Sequence, residues 1–162
     1  MAELTTLDEK IGEVIGLAMA AQGATDKVMK LVEDDELAQR LRQTHEDAAE
    51  IEERTTKLVE DFDGKKTAIL EKARETKHEA TEMMSTYLGS DADGLDGFEF
   101  LTMAEAGELG HWSVVAKMNE KAGNAQLREL TEWALPLQEK HLSLALDGSL
   151  KLAAQQDPSE PA

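Results

Sequence analysis

The chain has 162 residues, a formal net charge of −17, 41% hydrophobic and 31% charged residues, and no cysteine. This length suits one domain with a buried core. Because there is no cysteine, disulfides and thiolate metal sites are excluded. The negative net charge disfavours nucleic acid or an anionic membrane as a partner. Because aromatic residues make up only 4% of the chain, we expect helices rather than strands. We identify no signal peptide and no apolar run long enough to cross a membrane, so we expect a cytoplasmic protein.

Apolar residues at three- and four-residue spacing predict three helices in the first half of the chain, near residues 7–32, 35–62 and 66–88. Thr6, with a glutamate three residues later, predicts the cap of the first helix. Gly12 and Gly16 lie one turn apart in this helix and can let another helix approach closely. The Asp63-Gly64 stop leaves open whether the third stretch is a separate helix or continues the second.

Residues 89–97, with the sequence GSDADGLDG, interrupt the helical pattern and predict a loop. The acidic residues do not fit a calcium-binding EF-hand, because either alignment on a central glycine puts Gly89 or Ala92 at the first ligand position. Asp96 is instead the predicted cap of a fourth helix over residues 97–121.

Gly123-Asn124 is predicted to end the fourth helix and to cap a fifth, which contains Pro136 and reaches Ala154. The polar tail, residues 155–162, is expected to be disordered. Short connections between helices with a common apolar stripe predict an all-α antiparallel bundle formed by residues 1–154.

Within the fourth helix, two polar residues interrupt the stripe that is predicted to face the core. The carboxyl of Glu108 and the imidazole of His111 are three residues apart and would share one face. Burying both costs free energy unless each finds a partner. Trp112 and Trp133 are expected to cover the edge of the core. The predicted stripe consists of Leu101, Ala104, Glu108, His111, Val115 and Met118.

The fifth helix repeats this spacing, since Gln138 precedes His141 by three residues. Glu105 lies one turn before Glu108 and could reach the same point. A cluster of carboxylates and imidazoles suits iron, manganese or zinc. The alternative is a pair of buried hydrogen bonds, with His111 held by Glu108 and His141 held by Gln138 or Glu105. The residues alone leave both interpretations open.

The pattern resembles the ferritin-like superfamily, and in particular its small bacterial stress-associated members of unknown function. The resemblance is carried by an N-terminal helical hairpin and by three segments: FDGKKTAILEKARETKHEATEMM, AEAGELGHWSVV and GNAQLRELTEWALPLQEKHLSLAL. It implies an antiparallel four-helix bundle with an additional helical segment between the two hairpins. It also implies a stress-related role and a homodimer.

In that superfamily two metal ions are held by one carboxylate on each of two helices and by Glu-x-x-His on the other two. The resemblance places Glu105 or Glu108 at the third-helix carboxylate, with Gln138 and His141 on the last helix. In the first hairpin, Gln22 and then Ala48 with Ile51 fall near ligand positions, so half of the site lacks ligands.

Two functions follow as hypotheses. The first is a ferritin-like bundle with a degenerate metal site and no catalysis. The second is a metal-binding oxidoreductase that uses non-haem iron or manganese, held by Glu108, His111 and His141 with Glu105 or Gln138 assisting. The cofactor therefore stays open between none and one of these metals.

Overall fold

The computed structural model describes residues 2–162, and within that range it contains five helices and no strand. The prediction of an all-α chain is confirmed, and the five helices pack against one another. The helices are α1 (Thr6–Met29), α2 (Asp35–Val59), α3 (Lys66–Tyr87), α4 (Gly94–Ala122) and α5 (Ala125–Ala153).

The helix starts follow capping chemistry, although two caps differ from the predicted ones. At α1 the cap is Thr5, whose side chain accepts from the backbone N–H of Asp8 while the Asp8 carboxylate accepts from the Thr5 N–H. The same reciprocal pair forms between Asp93 and Asp96 at α4, so this helix begins three residues before the predicted start. Each of these two observed capping pairs satisfies two backbone N–H groups at once, which explains why the helices begin there.

The joints after α2 and α4 each contain a glycine with a left-handed backbone. Gly64 has φ +69° between α2 and α3, so the third stretch is a separate helix rather than a continuation. Gly123 also has φ +69°, and Asn124 caps α5 by accepting from the Leu127 N–H. The predicted end of the fourth helix and cap of the fifth are therefore confirmed. Both glycines occupy the conformation that other residues adopt only with strain.

The packing of the helices gives each a direction. α1 contacts α2, α3 and α4, while α5 contacts α4 and α2. In the α2–α5 pair, His141 meets Asp47 and Lys151 meets Asp34, so these helices run antiparallel. α1 and α4 are also antiparallel, because Gly97 lies against Val28 near the end of α1 and His111 lies near Glu13. α3 lies against α1 and runs parallel to it, because Ile69 contacts the start of α1 and later α3 residues contact the next turn.

Gly12 and Gly16 are the positions where α3 approaches α1. A Cβ added at Gly16 would lie 2.3 Å from the backbone oxygen of Ala73, and one at Gly12 would lie 2.9 Å from that of Ile69. No side chain fits at such distances without moving a helix backbone. The expectation that these glycines admit a neighbouring helix is confirmed.

Among residues 2–162, no helix combines the length and the apolar character that crossing a membrane requires. Beyond α5, residues 155–162 form exposed turns. The disorder expected for this tail stays a prediction.

Candidate functional site

The buried face of α4 differs from the predicted stripe by one residue in every second position. From Leu101 onward its buried residues are Leu101, Glu105, Glu108, Trp112, Val115 and Asn119. The Trp112 side chain, expected at the edge, is only 1% exposed. Burying the large indole is favourable by far more than burying an imidazole, so the helix turns its Trp inward and Glu105 follows on the same face.

The expectation that His111 is buried beside Glu108 is therefore wrong. Its side chain is 44% exposed, and its Nδ1 lies 2.8 Å from the backbone oxygen of Gly107. Its Nε2 lies 3.6 Å from the carboxylate of Glu13 on α1. His111 thus belongs to the surface between α1 and α4.

The structure brings the other four predicted site residues, Glu105, Glu108, Gln138 and His141, into the interior. Each is at most 4% exposed. Gln138 Nε2 donates to Glu108 Oε2 at 3.2 Å, and His141 Nδ1 lies 3.7 Å from Glu105 Oε2. Two helices, α4 and α5, therefore contribute one buried polar cluster, which we call the polar core.

A fifth member of the polar core, Asp47 of α2, is absent from the sequence prediction. Its Oδ2 lies 2.9 Å from His141 Nε2, and its Oδ1 accepts from Gln43 Nε2 at 2.9 Å. A signal existed, because Asp47 follows Thr44 by three residues and precedes Ile51 by four, which places all three on one face of a helix. The prediction assigned that turn to the neighbouring Ala48.

The contact with Asp47 fixes the tautomer of His141. A carboxylate can only accept, so Nε2 carries the proton and donates to Asp47. In a neutral imidazole Nδ1 then has a lone pair, and Nδ1 is the ring nitrogen that lies near Glu105. Burial lowers the pKa of His141, and the hydrogen bond and charge of Asp47 act in the opposite direction. Burial is the larger effect and the pKa of His141 is lowered in sum, so the ring is neutral near pH 7, while the hydrogen bond to Asp47 orients it.

The two glutamates of the polar core are difficult to ionise. Burial raises the pKa of Glu105 from 4.5 to about 8. Burial also raises the pKa of Glu108 well above its ordinary value, the charge of Glu105 adds to this effect, and the hydrogen bond from Gln138 opposes it. A pair of carboxyls in an apolar interior retains protons near neutral pH, unless a cation replaces them.

The polar core holds more hydrogen-bond acceptors than donors. Among the buried side chains that the structure describes, the atoms without a hydrogen-bond partner are Glu105 Oε2 and Gln138 Oε1. The lone pair of His141 Nδ1 is a third acceptor nearby. Unsatisfied buried polar atoms are costly and call for a proton, a water or a cation.

The polar core receives no ligand from α1. Over the described stretch Ile11–Val28, the buried residues of this helix are apolar, glycine or threonine, without any carboxylate or imidazole. Gln22, which the resemblance places near a ligand position, is half-buried, and its Nε2 donates to the Glu52 carboxylate and to the backbone oxygen of Ala18. Ala48 and Ile51 are buried as predicted and offer no ligand atom.

Over residues 2–162, no group of three or more His, Asp or Glu side chains is arranged to hold a metal ion in the observed side-chain conformations. The donor types nevertheless suit a single ion of iron or manganese, and the unpartnered Glu105 oxygen leaves one ligand atom free. A second ion would lack ligands from α1.

Comparison of the chain with protein-family models, curated protein sequences and solved structures gave no match.

Proposed function

We propose that this protein is a ferritin-like helical bundle with a degenerate metal site, and that it acts without the oxygen chemistry of a di-iron enzyme. The observation that carries this proposal is the uneven distribution of ligands. α2, α4 and α5 contribute carboxyl, amide and imidazole groups, whereas the buried face of α1 over Ile11–Val28 is apolar, glycine or threonine. A di-metal centre needs ligands from all four helices.

The helix directions support the ferritin-like part of the proposal. The hairpins α1–α2 and α4–α5 would form the four-helix core, and α3 would be the additional segment between them. Since α3 runs parallel to α1, it returns the chain to the end of the molecule where α2 begins. Helices α2 and α4 are therefore parallel to each other. One long crossover between two antiparallel hairpins is the connectivity of that superfamily.

A stress-related role and a homodimer belong to the same proposal, and they rest on the sequence resemblance. Exposed apolar side chains outside the α1–α3–α4 groove support an association surface, since Leu146 is 46% and Leu150 60% exposed one turn apart on α5. Sedimentation equilibrium tests the dimer. A single species with the mass of one chain, 17.8 kDa, at all concentrations would contradict it.

A second candidate function, binding of a single iron or manganese ion with redox activity, is favoured by the unpartnered oxygens of Glu105 and Gln138. Glu105, Glu108 and His141 would hold the ion, with Gln138 or Asp47 assisting. Such an ion would supply Lewis-acid or redox chemistry. His111 takes no part in this version, because it lies on the surface.

Metal titration separates these functions. The protein is purified without a histidine tag, treated with a chelator, and titrated anaerobically with Fe(II) or Mn(II). Metal retained after desalting is then measured by mass spectrometry, and oxygen uptake is followed after air is admitted. The main proposal predicts less than about one ion per chain and no Fe(II)-dependent oxygen uptake. Two ions per chain with rapid uptake would overturn it.

The single-ion candidate makes a different prediction in the same experiment. It requires about one ion per chain, lost in His141→Ala and retained in the matched variant His78→Ala, whose residue is exposed on α3. Retention below about a tenth of an equivalent, unchanged on iron addition, would end this candidate.

A further inference from the structure

A groove between α1, α3 and α4 leads from the surface to the polar core. Its volume is about 180 Å³. Exposed Met83 and Met103 lie at its outer part, and fully buried Glu105 and Glu108 form part of its lining. The groove therefore extends from the surface to the side chains of these two buried glutamates.

The lining of this groove is apolar except at its inner end and at His111. Apolar residues make up most of it, among them alanines of α1 and methionines of α3 and α4, and Thr81 is the remaining polar side chain. An apolar cavity of about 150 Å³ is large enough for a benzene-sized molecule. The observed volume therefore fits a short hydrocarbon chain of about six carbon atoms.

The polar inner end of the groove is formed by Glu105 and Glu108, whose carboxyls retain protons near neutral pH unless a cation replaces these protons. Glu105 Oε2 has no partner, and His141 Nδ1, with its lone pair, lies 3.7 Å from it. Gln138 Oε1 is also unpartnered, but Gln138 and His141 belong to the polar core and not to the lining of the groove. A primary ammonium carries three donors, no acceptor and a positive charge, so it can take the place of the Glu105 proton, which leaves to solvent, and pair with the resulting carboxylate. A carboxylate or phosphate ligand would add acceptors and a like charge at this place.

We propose that the groove binds a small aliphatic primary monoamine, with the alkyl chain between α1, α3 and α4 and the ammonium at Glu105. The apolar lining favours a chain with one polar end, since a second ammonium would lie beside the apolar side chains of Met83 and Met103 at the mouth and lose part of its hydration. This binding needs no metal, so it stands or falls separately from the proposed function.

Matched ligands test the head group and the chain. Metal-depleted protein is titrated by calorimetry with hexylamine, hexan-1-ol, hexanoate, 1,6-diaminohexane and methylamine. Hexylamine is expected to bind roughly ten-fold or more tightly than hexan-1-ol, because hydrogen bonds to a charged group are the stronger ones. The diamine, hexanoate and methylamine are expected to bind more weakly than hexylamine. Equal affinity for hexylamine and hexan-1-ol, or no binding of either, would overturn the proposal.

Methyl NMR locates the bound ligand. Met83, Met84 and Met103 line the groove, whereas Met19 and Met118 do not. In protein labelled at the methionine methyls, hexylamine is expected to shift the first three signals and to leave the other two unchanged. Binding to the acidic surface alone would leave all of them unchanged and would contradict the assignment to the groove.

Two pairs of variants complete the test. Glu105→Gln should abolish the preference for hexylamine over hexan-1-ol, while the exposed control Glu99→Gln should keep it. Ala104→Met should fill the groove and block both ligands, whereas Ala106→Met, on the exposed face of the same helix, should not. If Ala104→Met fails to fold, Ala80→Met fills the same groove from α3. Unchanged hexylamine binding in Glu105→Gln would refute the role of the carboxylate.

Discussion

Replacing Glu105 by Gln should change how the stability of this protein depends on pH. The carboxyl is 2% exposed, and its pKa is raised by burial from 4.5 to about 8. The amide keeps the size of the side chain, carries no proton that titrates, and brings an N–H donor to a place with too many acceptors. Removing this glutamate should therefore stabilise the fold wherever the wild-type side chain would have to ionise.

The sign follows from proton binding. Between pH 4.5 and about 8 the folded state holds a proton on Glu105 that the unfolded state has lost, so the free energy of unfolding falls as the pH rises through this window. At about 1.4 kcal/mol for each pH unit, the interval gives a loss of up to about 5 kcal/mol. We expect Glu105→Gln to be about 3–5 kcal/mol more stable than the wild type near pH 9 and within about 1 kcal/mol of it near pH 5.

Urea unfolding of metal-depleted protein, followed by circular dichroism at several pH values, measures this difference. Glu99→Gln is the matched control, since it removes one negative charge from an exposed position of the same helix. The control should shift stability by less than about 0.5 kcal/mol at every pH. If the free energies of unfolding of Glu105→Gln and the wild type change in parallel from pH 5 to pH 9, the Glu105 carboxyl does not hold a proton in the interior.

Three further substitutions test other parts of the structure by the same unfolding assay. Asp47→Ala should cost about 1–3 kcal/mol, because it leaves the Nε2–H of buried His141 without an acceptor; a neutral result would contradict that hydrogen bond. Gly16→Ala should cost about 1–3 kcal/mol, since its Cβ would meet a backbone oxygen of α3 at 2.3 Å. The control Gly23→Ala, with nothing within 4 Å, should be neutral or stabilise by up to about 1 kcal/mol; equal costs would refute the close helix approach. His111→Ala should change stability by less than about 0.5 kcal/mol, because the ring is half-exposed, and a loss above 1 kcal/mol would place it in the interior after all.

The helices and their approximate limits could be predicted from the sequence because the apolar spacing, the caps and the glycines act locally. The rotation of α4 could not. A strict three-four repeat fits both faces, and the choice between His111 and Trp112 depends on which neighbour the helix finds on α1 and α5. The free energy gained by burying the Trp112 indole determines the rotation of α4, and this gain arises only when the helices pack against one another.

The composition of the polar core was predicted in part for a related reason. Glu105, Glu108, Gln138 and His141 lie on two helices that are consecutive in sequence, so their meeting follows from one hairpin. Asp47 lies 94 positions before His141, and no local pattern connects them. Asp47 was missed because it lies one residue before the predicted stripe position Ala48. The helical period of 3.6 residues spreads the buried face over such adjacent positions.

The central claim is that His141 is held in the dry interior, with its Nε2–H donated to Asp47 and its Nδ1 unprotonated beside Glu105. Nitrogen-15 NMR of the four histidines, with His141→Gln identifying the missing signal, measures this directly. Near pH 7 we predict one His141 nitrogen protonated and one unprotonated, with Nε2 as the protonated nitrogen and slow exchange of its proton with water. Rapid exchange between tautomers, or protonation of both nitrogens, would contradict the account.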